Sequence, residues 1–220
     1  VLAHTPVGGT VLDRTIFYPR GGGQPGDSGR LDWDGLSLSI ATAVRGERDA
    51  VILVPAEPLP LPAPGTIVSQ RLDWERRHRH MRVHSALHLL SVAVPLPVTG
   101  GNIGAGHGRL DFAAPDLPDS REALEAMLNG FVEQDLAISA DWVEEAVLDA
   151  NPALVKTMTV QPPRGQGAVR LVRIGTGENQ IDLQPCGGTH VARTGEIGRI
   201  RIGKIENKGR QNRRVNIQLD

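Results

Sequence analysis

Asp73-Trp-Glu-Arg-Arg-His-Arg-His-Met-Arg-Val-His84-Ser-Ala-Leu-His88-Leu-Leu-Ser-Val-Ala-Val94-Pro95 is where the chain changes character. Asp73 has the chemistry of a helix cap, and Pro95 and Pro97 are helix breakers, so this stretch predicts a helix from Asp73 to about Val94. Upstream, the pattern is one of short strands. Residues 10–17 form one, interrupted by Asp13 and Arg14. Residues 31–44 form a hairpin turning at Asp34-Gly35, with Leu36, Leu38 and Ile40 alternating along it. Further strands cover 50–54 and 66–72, and five prolines between Pro55 and Pro64 mark a surface connection. Residues 1–72 therefore read as a small N-terminal β-barrel domain. Downstream, residues 100–112 give a glycine-rich turn and a strand. Asp119-Ser-Arg-Glu122 is a capping box for a second helix with an apolar stripe of Leu124, Met127, Leu128, Phe131 and Val132. Residues 142–151 carry a third, short helix. Strands come next at 169–174, 180–184, 197–206 and 214–219. Residues 73–220 thus predict an α+β domain, an antiparallel sheet with flanking helices.

Composition narrows the class. The chain has 220 residues, 40% hydrophobic but only 3% aromatic, so the core is built from Val, Leu, Ile and Ala. A formal net charge of −1 excludes a protein that is basic throughout. The charge is uneven, however: residues 193–214 hold eight Lys or Arg against two Glu. The single cysteine, Cys186, excludes an internal disulfide and suits a reducing compartment. No stretch is apolar enough to cross a membrane and no signal peptide is visible, which makes the cytoplasm the expected location and a membrane partner unexpected. The chain begins at Val1 and not Met, as a trimmed or processed start would leave it.

Four side chains carry the chemistry. His84 and His88, four apart on the predicted helix, present their imidazoles one turn apart on one face. Alone, they are equally well a pair of structural histidines. In Pro185-Cys-Gly-Gly-Thr-His190 the two glycines let the chain turn sharply, so that Cys186 and His190 converge. Alone, Cys186 is equally well a small core residue or a nucleophile. Together the two elements supply three nitrogens and one sulfur, the donor set of zinc, and account for both histidine pairs. Strand alternation in Ile181-Asp-Leu-Gln-Pro-Cys186 puts Asp182 and Gln184 on the face of Cys186, with Ile181, Leu183 and Pro185 toward a core. The alternative for that polar face is a solvent-facing edge. Gly21-Gly-Gly-Gln-Pro-Gly26 matches a dinucleotide-binding fingerprint in form only, because Pro25 and Gly-Asp-Ser-Gly29 do not open a helix. His84 to His88 is not a metalloprotease signature, since no Glu comes directly after the first His. His78 and His80 read as exposed, and His107 as lying outside the group.

His84-Ser-Ala-Leu-His88 with Cys186-Gly-Gly-Thr-His190 resembles the editing domain of alanyl-tRNA synthetase, and most closely the AlaX family, freestanding proteins that hydrolyse mischarged tRNA in trans. Asp73-Trp-Glu-Arg-Arg-His78, Gln161-Pro-Pro-Arg-Gly-Gln166 and Lys204-Ile-Glu-Asn-Lys-Gly-Arg210 support the resemblance. Gly21-Gly-Gly-Gln-Pro-Gly-Asp27 is similar to the glycine-rich motif of the longer AlaX forms. The likeness spans nearly the whole chain. Threonyl-tRNA synthetases carry a related editing module.

The resemblance implies Zn2+ on His84, His88, Cys186 and His190, and deacylation of tRNA(Ala) carrying a wrong amino acid, Ser-tRNA(Ala) first and Gly-tRNA(Ala) second. A synthetase pocket built for Ala excludes Ser poorly, because one added hydroxyl costs little, so a second sieve is required. Asp182 and Gln184 are the candidates for polar assistance in catalysis. Ser85 stands where the family usually has the threonine associated with amino-acid selection, and is expected to line the substrate pocket. Gly22 and Gly23 are expected beside the substrate. Lys204, Lys208, Arg210, Arg213 and Arg214, clustered around a turn suggested by Gly209 and Asn212, are expected to meet tRNA phosphates. No synthetase core fits in this length, so no ligase activity is expected. The alternatives are a zinc-stabilised RNA-binding module without catalysis, an editing module of the threonyl type, and a hydrolase of small aminoacyl esters. Oligomeric state is left open by the sequence.

Overall fold

Asp34 and Gly35, at φ 44° and 76°, form the two-residue turn that the hairpin pattern calls for, with both central residues in the left-handed region. In the computed structural model, which describes residues 1–157 and 167–220, this hairpin belongs to the first of two compact units, Val1–His78 and Arg79–Asp220. The string Gln161 to Gln166 lies outside the described residues.

The first unit is built on strands β1 (Ala3–His4), β2 (Thr10–Val11), β3 (Gly29–Trp33), β4 (Leu36–Arg45), β5 (Val51–Pro55) and β6 (Ser69–Leu72), in one antiparallel sheet of order β1-β2-β5-β4-β3-β6. Alternation along β3 and β4 buries Leu31, Leu38 and Ile40, which pack with Leu12, Phe17, Ala43 and Leu53. The sheet is open: among the described residues no ladder joins β1 to β6, so the expected barrel does not close. The cause is local. Asp13 and Arg14 cut the expected 10–17 strand to Thr10–Val11, and β1 is equally short. Bonds from Val1 N to Thr66 O and from Gly65 N to Val1 O, and those of Gln70 on β6 with Arg14 O, Thr15 Oγ1 and Ile16 N, reach across instead.

The glycine-rich loop between β2 and β3 leads into a strand and not a helix, as Pro25 requires. Gly22 and Gly23, at φ 56° and 80°, are the central residues of a tight turn closed by paired backbone bonds between Gly21 and Gln24; that conformation favours glycine. A Cβ on Gly26 would strike the Ala43 carbonyl. Asp27 anchors the loop. Its Oδ2 accepts from Tyr18 N at 2.6 Å, and Arg77 Nε lies 2.9 Å from both carboxylate oxygens, with Nη2 also paired to Oδ2.

Helix α1 (Trp74–Ala93) starts where Asp73 Oδ1 accepts from Arg76 N at 3.1 Å, and ends before Pro95. In the second unit, β7 (Val98–Ile103), β8 (His107–Phe112), β12 (Ile200–Asn207) and β13 (Arg213–Leu219) form one antiparallel sheet of order β12-β13-β8-β7. Gly100 and Gly101 lie within β7 and not in the turn. Helix α2 (Arg121–Glu133) is capped by Ser120, whose Oγ accepts from Ala123 N, so the cap is Ser120 and not Asp119. Asn129 on α2 bonds both the carbonyl and the amide of Ile200, fixing the helix on this sheet. Their shared core includes Val83, Leu87, Leu90, Phe112, Leu124, Leu128, Ile202 and Ile217.

Where one sheet was expected there are two. β9 (Ile138–Glu144), β10 (Ala168–Ile174) and β11 (Asp182–Pro185) form a second antiparallel sheet with its own small core around Leu148, Val169 and Leu171. Trp142 is on a strand: Ile138, Trp142 and Val143 favour extended backbone, and only Glu145–Ala150 becomes helix α3. No helix among the described residues is long and apolar enough to cross a membrane.

Candidate metal centre

His84 and His88 stand on the part of α1 that is buried from Val83 to Ser91, with ring centroids 5.4 Å apart. The opposing pair arrives from the end of β11. Cys186 N donates to Arg170 O, and Arg170 Nη1 bridges the carbonyls of Cys186 (2.9 Å) and Gly188 (2.8 Å). This guanidinium curls the Cys-Gly-Gly-Thr-His segment so that His190 faces back toward Cys186. The four donor atoms lie within 4.8 Å of one another.

Two edges of the group match tetrahedral zinc. Bonds of about 2.0–2.1 Å to nitrogen and about 2.3 Å to sulfur imply tetrahedral N···S edges of about 3.5 Å. Cys186 Sγ lies 3.5 Å from His84 Nε2 and 3.3 Å from His190 Nε2. The outer ring nitrogens of His88 and His190 are occupied elsewhere. His88 Nδ1 donates to Asp182 Oδ2 at 2.9 Å, and His190 Nδ1 lies 3.2 Å from Ser85 Oγ. A histidine held by its Nδ1 presents Nε2 inward, the usual arrangement behind metal-ligating imidazoles.

The electrostatics favour Cys186 and His190 as donors, whereas His88 carries a proton that a metal would displace. Burial opposes ionisation of Cys186, but the surrounding imidazoles of His84, His190 and His88 hold its thiol well below the usual value. Burial, together with the charges of His84 and His88, pushes His190 down to about 3, leaving it neutral with a free lone pair. Burial also works against a charge on His88, yet its bonds to Asp182 and Cys186 outweigh this and raise it to about 9. Asp182 is disfavoured as an anion by burial but is held below the ordinary carboxylate range by His88 and Lys156.

Asp182 and Gln184 do share a face, but as the most enclosed side chains of β11, at 3% and 7% exposure. Gln184 Nε2 donates to Asp182 Oδ2 at 2.7 Å and to Ser91 Oγ at 3.2 Å. Both residues therefore back His88 and face no solvent. Ser85 is 0% exposed, and its hydroxyl accepts from Val191 N at 3.3 Å beside His190. It points at a ligand's outer edge and not into an open pocket. His80, expected to be exposed, is buried, and it stands outside the group with His78 and His107. The open side of the centre is the turn itself, where Gly187 is exposed and Cys186 and His190 are half-buried.

The basic cluster forms the tip of the β12–β13 hairpin, closed by Lys208 N to Asn212 O. Its cations are not equivalent. Arg214 grips Asp111 through Nε (2.7 Å) and Nη2 (2.9 Å). Arg213 bonds Asn207 and Gly209 O and lies 3.4 Å from Asp116. Lys204 and Lys208 sit 3.4 and 3.8 Å from Glu206, and Arg210 is exposed at the turn. Sequence reasoning missed Lys156 and Arg170, whose partners are distant in sequence.

The chain is similar to known synthetase and editing proteins. The profile described as "Threonyl and Alanyl tRNA synthetase second additional domain" matches residues 169–216, the segment that carries Cys186 and His190. The chain is 31% identical to the alanyl-tRNA editing protein AlaX-M of Methanosarcina mazei, over 95% of this chain and 86% of that protein. It is 31% identical to AlaX-L of Pyrococcus horikoshii, over 91% of this chain and 48% of that protein. Against the alanine–tRNA ligase of Caldivirga maquilingensis it is 33% identical over 89% of its length, which spans only 22% of that enzyme. The profile match and these relatives define a synthetase-type accessory domain. The chain belongs to the AlaX family of alanyl-tRNA editing proteins.

Proposed function

We propose that this chain hydrolyses the ester of mischarged tRNA(Ala), Ser-tRNA(Ala) foremost and Gly-tRNA(Ala) second, at a zinc site formed by His84, His88, Cys186 and His190. The observation that carries the reading is the convergence of those four donors, with the outer nitrogens of His88 and His190 already anchored. A zinc ion held there supplies Lewis acidity and a fixed point of attachment. In the reaction, a water oxygen bonds to the ester carbonyl carbon, the bond from that carbon to the ribose oxygen breaks, and the ribose oxygen ends protonated. An ester needs only a positioned water and a stabilised oxyanion, so no covalent enzyme intermediate is required.

In this reading Asp182 and Gln184 are positioning residues: they fix the His88 ring and do not meet the substrate. Ser85 orients His190 in the same way, and influences amino-acid selection through that ring. Gly22 and Gly23 remain assigned to the substrate on the strength of the family resemblance. The tRNA contacts at the basic tip fall to Lys204, Lys208 and Arg210, while Arg213 and Arg214 stiffen it.

The test is release of labelled serine from Ser-tRNA(Ala), with Ala-tRNA(Ala) as the control. Zinc-loaded wild type should release serine faster than alanine, and Cys186→Ala should lose both its zinc and at least about 100-fold of the rate. Serine release no faster than spontaneous hydrolysis, from protein that binds tRNA and holds zinc, would replace the enzyme with an RNA-binding module.

A further inference from the structure

Asp182 bonds the donor cluster through His88, and its side chain is wholly enclosed. Oδ2 is taken by His88 Nδ1 and Gln184 Nε2. Oδ1 is taken by Lys156 Nζ at 2.6 Å. Lys156 reaches inward from the segment after Pro152–Leu154, whose backbone is tied to β7 by Val98 N donating to Lys156 O. Its side chain is 28% exposed, so it spans the boundary between solvent and the buried carboxylate.

A carboxylate bonded through one oxygen can still rotate about its Cβ–Cγ bond. A charge-assisted bond on the second oxygen removes that freedom. Once Asp182 cannot turn, Oδ2 stays on the line of His88 Nδ1, and the ring is fixed with Nε2 toward Cys186. Gln184 cannot replace Lys156 here, because it bonds the same oxygen as His88. Two of the other donors have separate supports, Ser85 for His190 and Arg170 for the Cys186 turn.

We propose that Lys156 is a positioning residue of the metal centre, the outermost member of a Lys156–Asp182–His88 relay that locks the His88 ring in its ligating orientation. The proposal rests on the metal reading above. Its consequence is a slower loss of metal, since a ligand ring that cannot swing away must be displaced in place.

The experiment measures zinc transfer from the intact protein to a chromogenic chelator in excess, with cobalt-substituted protein providing the visible spectrum of the site. Lys156→Met keeps the length of the stem and removes the bond, and Lys156→Arg restores a cation. Lys156→Met should release zinc about tenfold faster than wild type, alter the cobalt bands, and keep the wild-type far-ultraviolet circular dichroism. Lys156→Arg should recover most of the difference. A Lys156→Met protein with wild-type release and unchanged cobalt bands overturns the relay while the metal centre stands. A wild type that takes up neither metal overturns both. Faster release in Lys156→Met that Arg fails to reduce also overturns the relay, because the cation would then not be what matters.

Discussion

Two buried carboxylates, one in each unit, solve the same problem differently. Asp27 in the first unit and Asp182 in the second are 1% and 3% exposed, and each has a cation as partner. Asp27 meets the planar fork of Arg77 and the Tyr18 amide, and every group involved is satisfied within the loop and the start of α1. Its arrangement is closed and explains an anchored glycine-rich loop. Asp182 meets an imidazole, and an imidazole has two faces. The nitrogen that Asp182 does not hold is turned toward two further histidines and a thiol. A buried charge becomes part of a site when its partner can also offer a lone pair; an imidazole has that second nitrogen, whereas the remaining guanidinium N–H groups, such as the Arg77 Nη2 that reaches Ile16 O, can only donate.

The comparison is tested by exchanging the readouts. Asp27→Asn leaves Arg77 without its counter-charge and should lower unfolding stability in urea by about 3 kcal/mol, the scale for breaking one partner of a buried pair. It should leave zinc release unchanged. Asp182→Asn should do the opposite in kind, raising zinc release by about 10–100-fold at a smaller cost in unfolding. If Asp27→Asn released zinc as readily as Asp182→Asn, the distinction between a structural and a functional buried acid would fail.

Asp111 sharpens the same contrast at a smaller scale. It is a third mostly buried carboxylate, and its partners are again guanidinium groups, Arg214 and Arg109. Burial opposes its charge, but the bonds from Arg214 and Arg109 prevail and hold it below its usual value. A carboxylate depressed in the folded state stabilises that state above its unfolded value of about 3.9, and the contribution disappears as pH falls through the lower, folded value. Asp111→Asn should therefore lower stability by about 1–2 kcal/mol at pH 7. The gap from wild type should narrow as the pH is taken down through 4 and below. A gap that stays constant across this range would mean that Asp111 contributes shape and not charge.

Legibility in the sequence tracks the range of the forces. The bounds of α1, the turn at Asp34-Gly35 and the turn at Gly209 to Asn212 are decided within a few residues, and the chain states them. The four donors are legible because each pair carries its own spacing, i to i+4 on a helix and across two glycines in a turn. Long-range partners are not. Lys156 bonds a residue 26 positions away, and nothing in its neighbourhood marks it. Ser85 and Asp182 are identifiable as near the centre but not as facing ligand nitrogens, because side-chain direction depends on elements 105 and 94 residues distant. The barrel fails on strand length: Asp13 and Arg14 are visible as an interruption, but not that the strand stops there.

The basic tip is where charge counting and geometry diverge most, and it yields the smallest predicted effect. By composition Arg210 and Arg214 are interchangeable members of one cluster. In the fold, Arg214 is bidentate to Asp111, 103 residues away, whereas Arg210 stands exposed at the turn. A cation held by a carboxylate is not available to neutralise a phosphate, and only a neutralised phosphate releases its condensed counterions and steepens the salt dependence of binding. Arg210→Ala should therefore shallow the slope of log affinity for tRNA(Ala) against log salt by about one unit, without changing unfolding stability. Arg214→Ala should leave that slope near wild type while destabilising the protein through the stranded Asp111. The measurement is tRNA affinity across a salt series for both variants, beside urea unfolding. Equal changes in slope would mean that Arg214 leaves Asp111 when tRNA arrives. No change in either variant would move the tRNA path away from this hairpin and toward another face of the second unit.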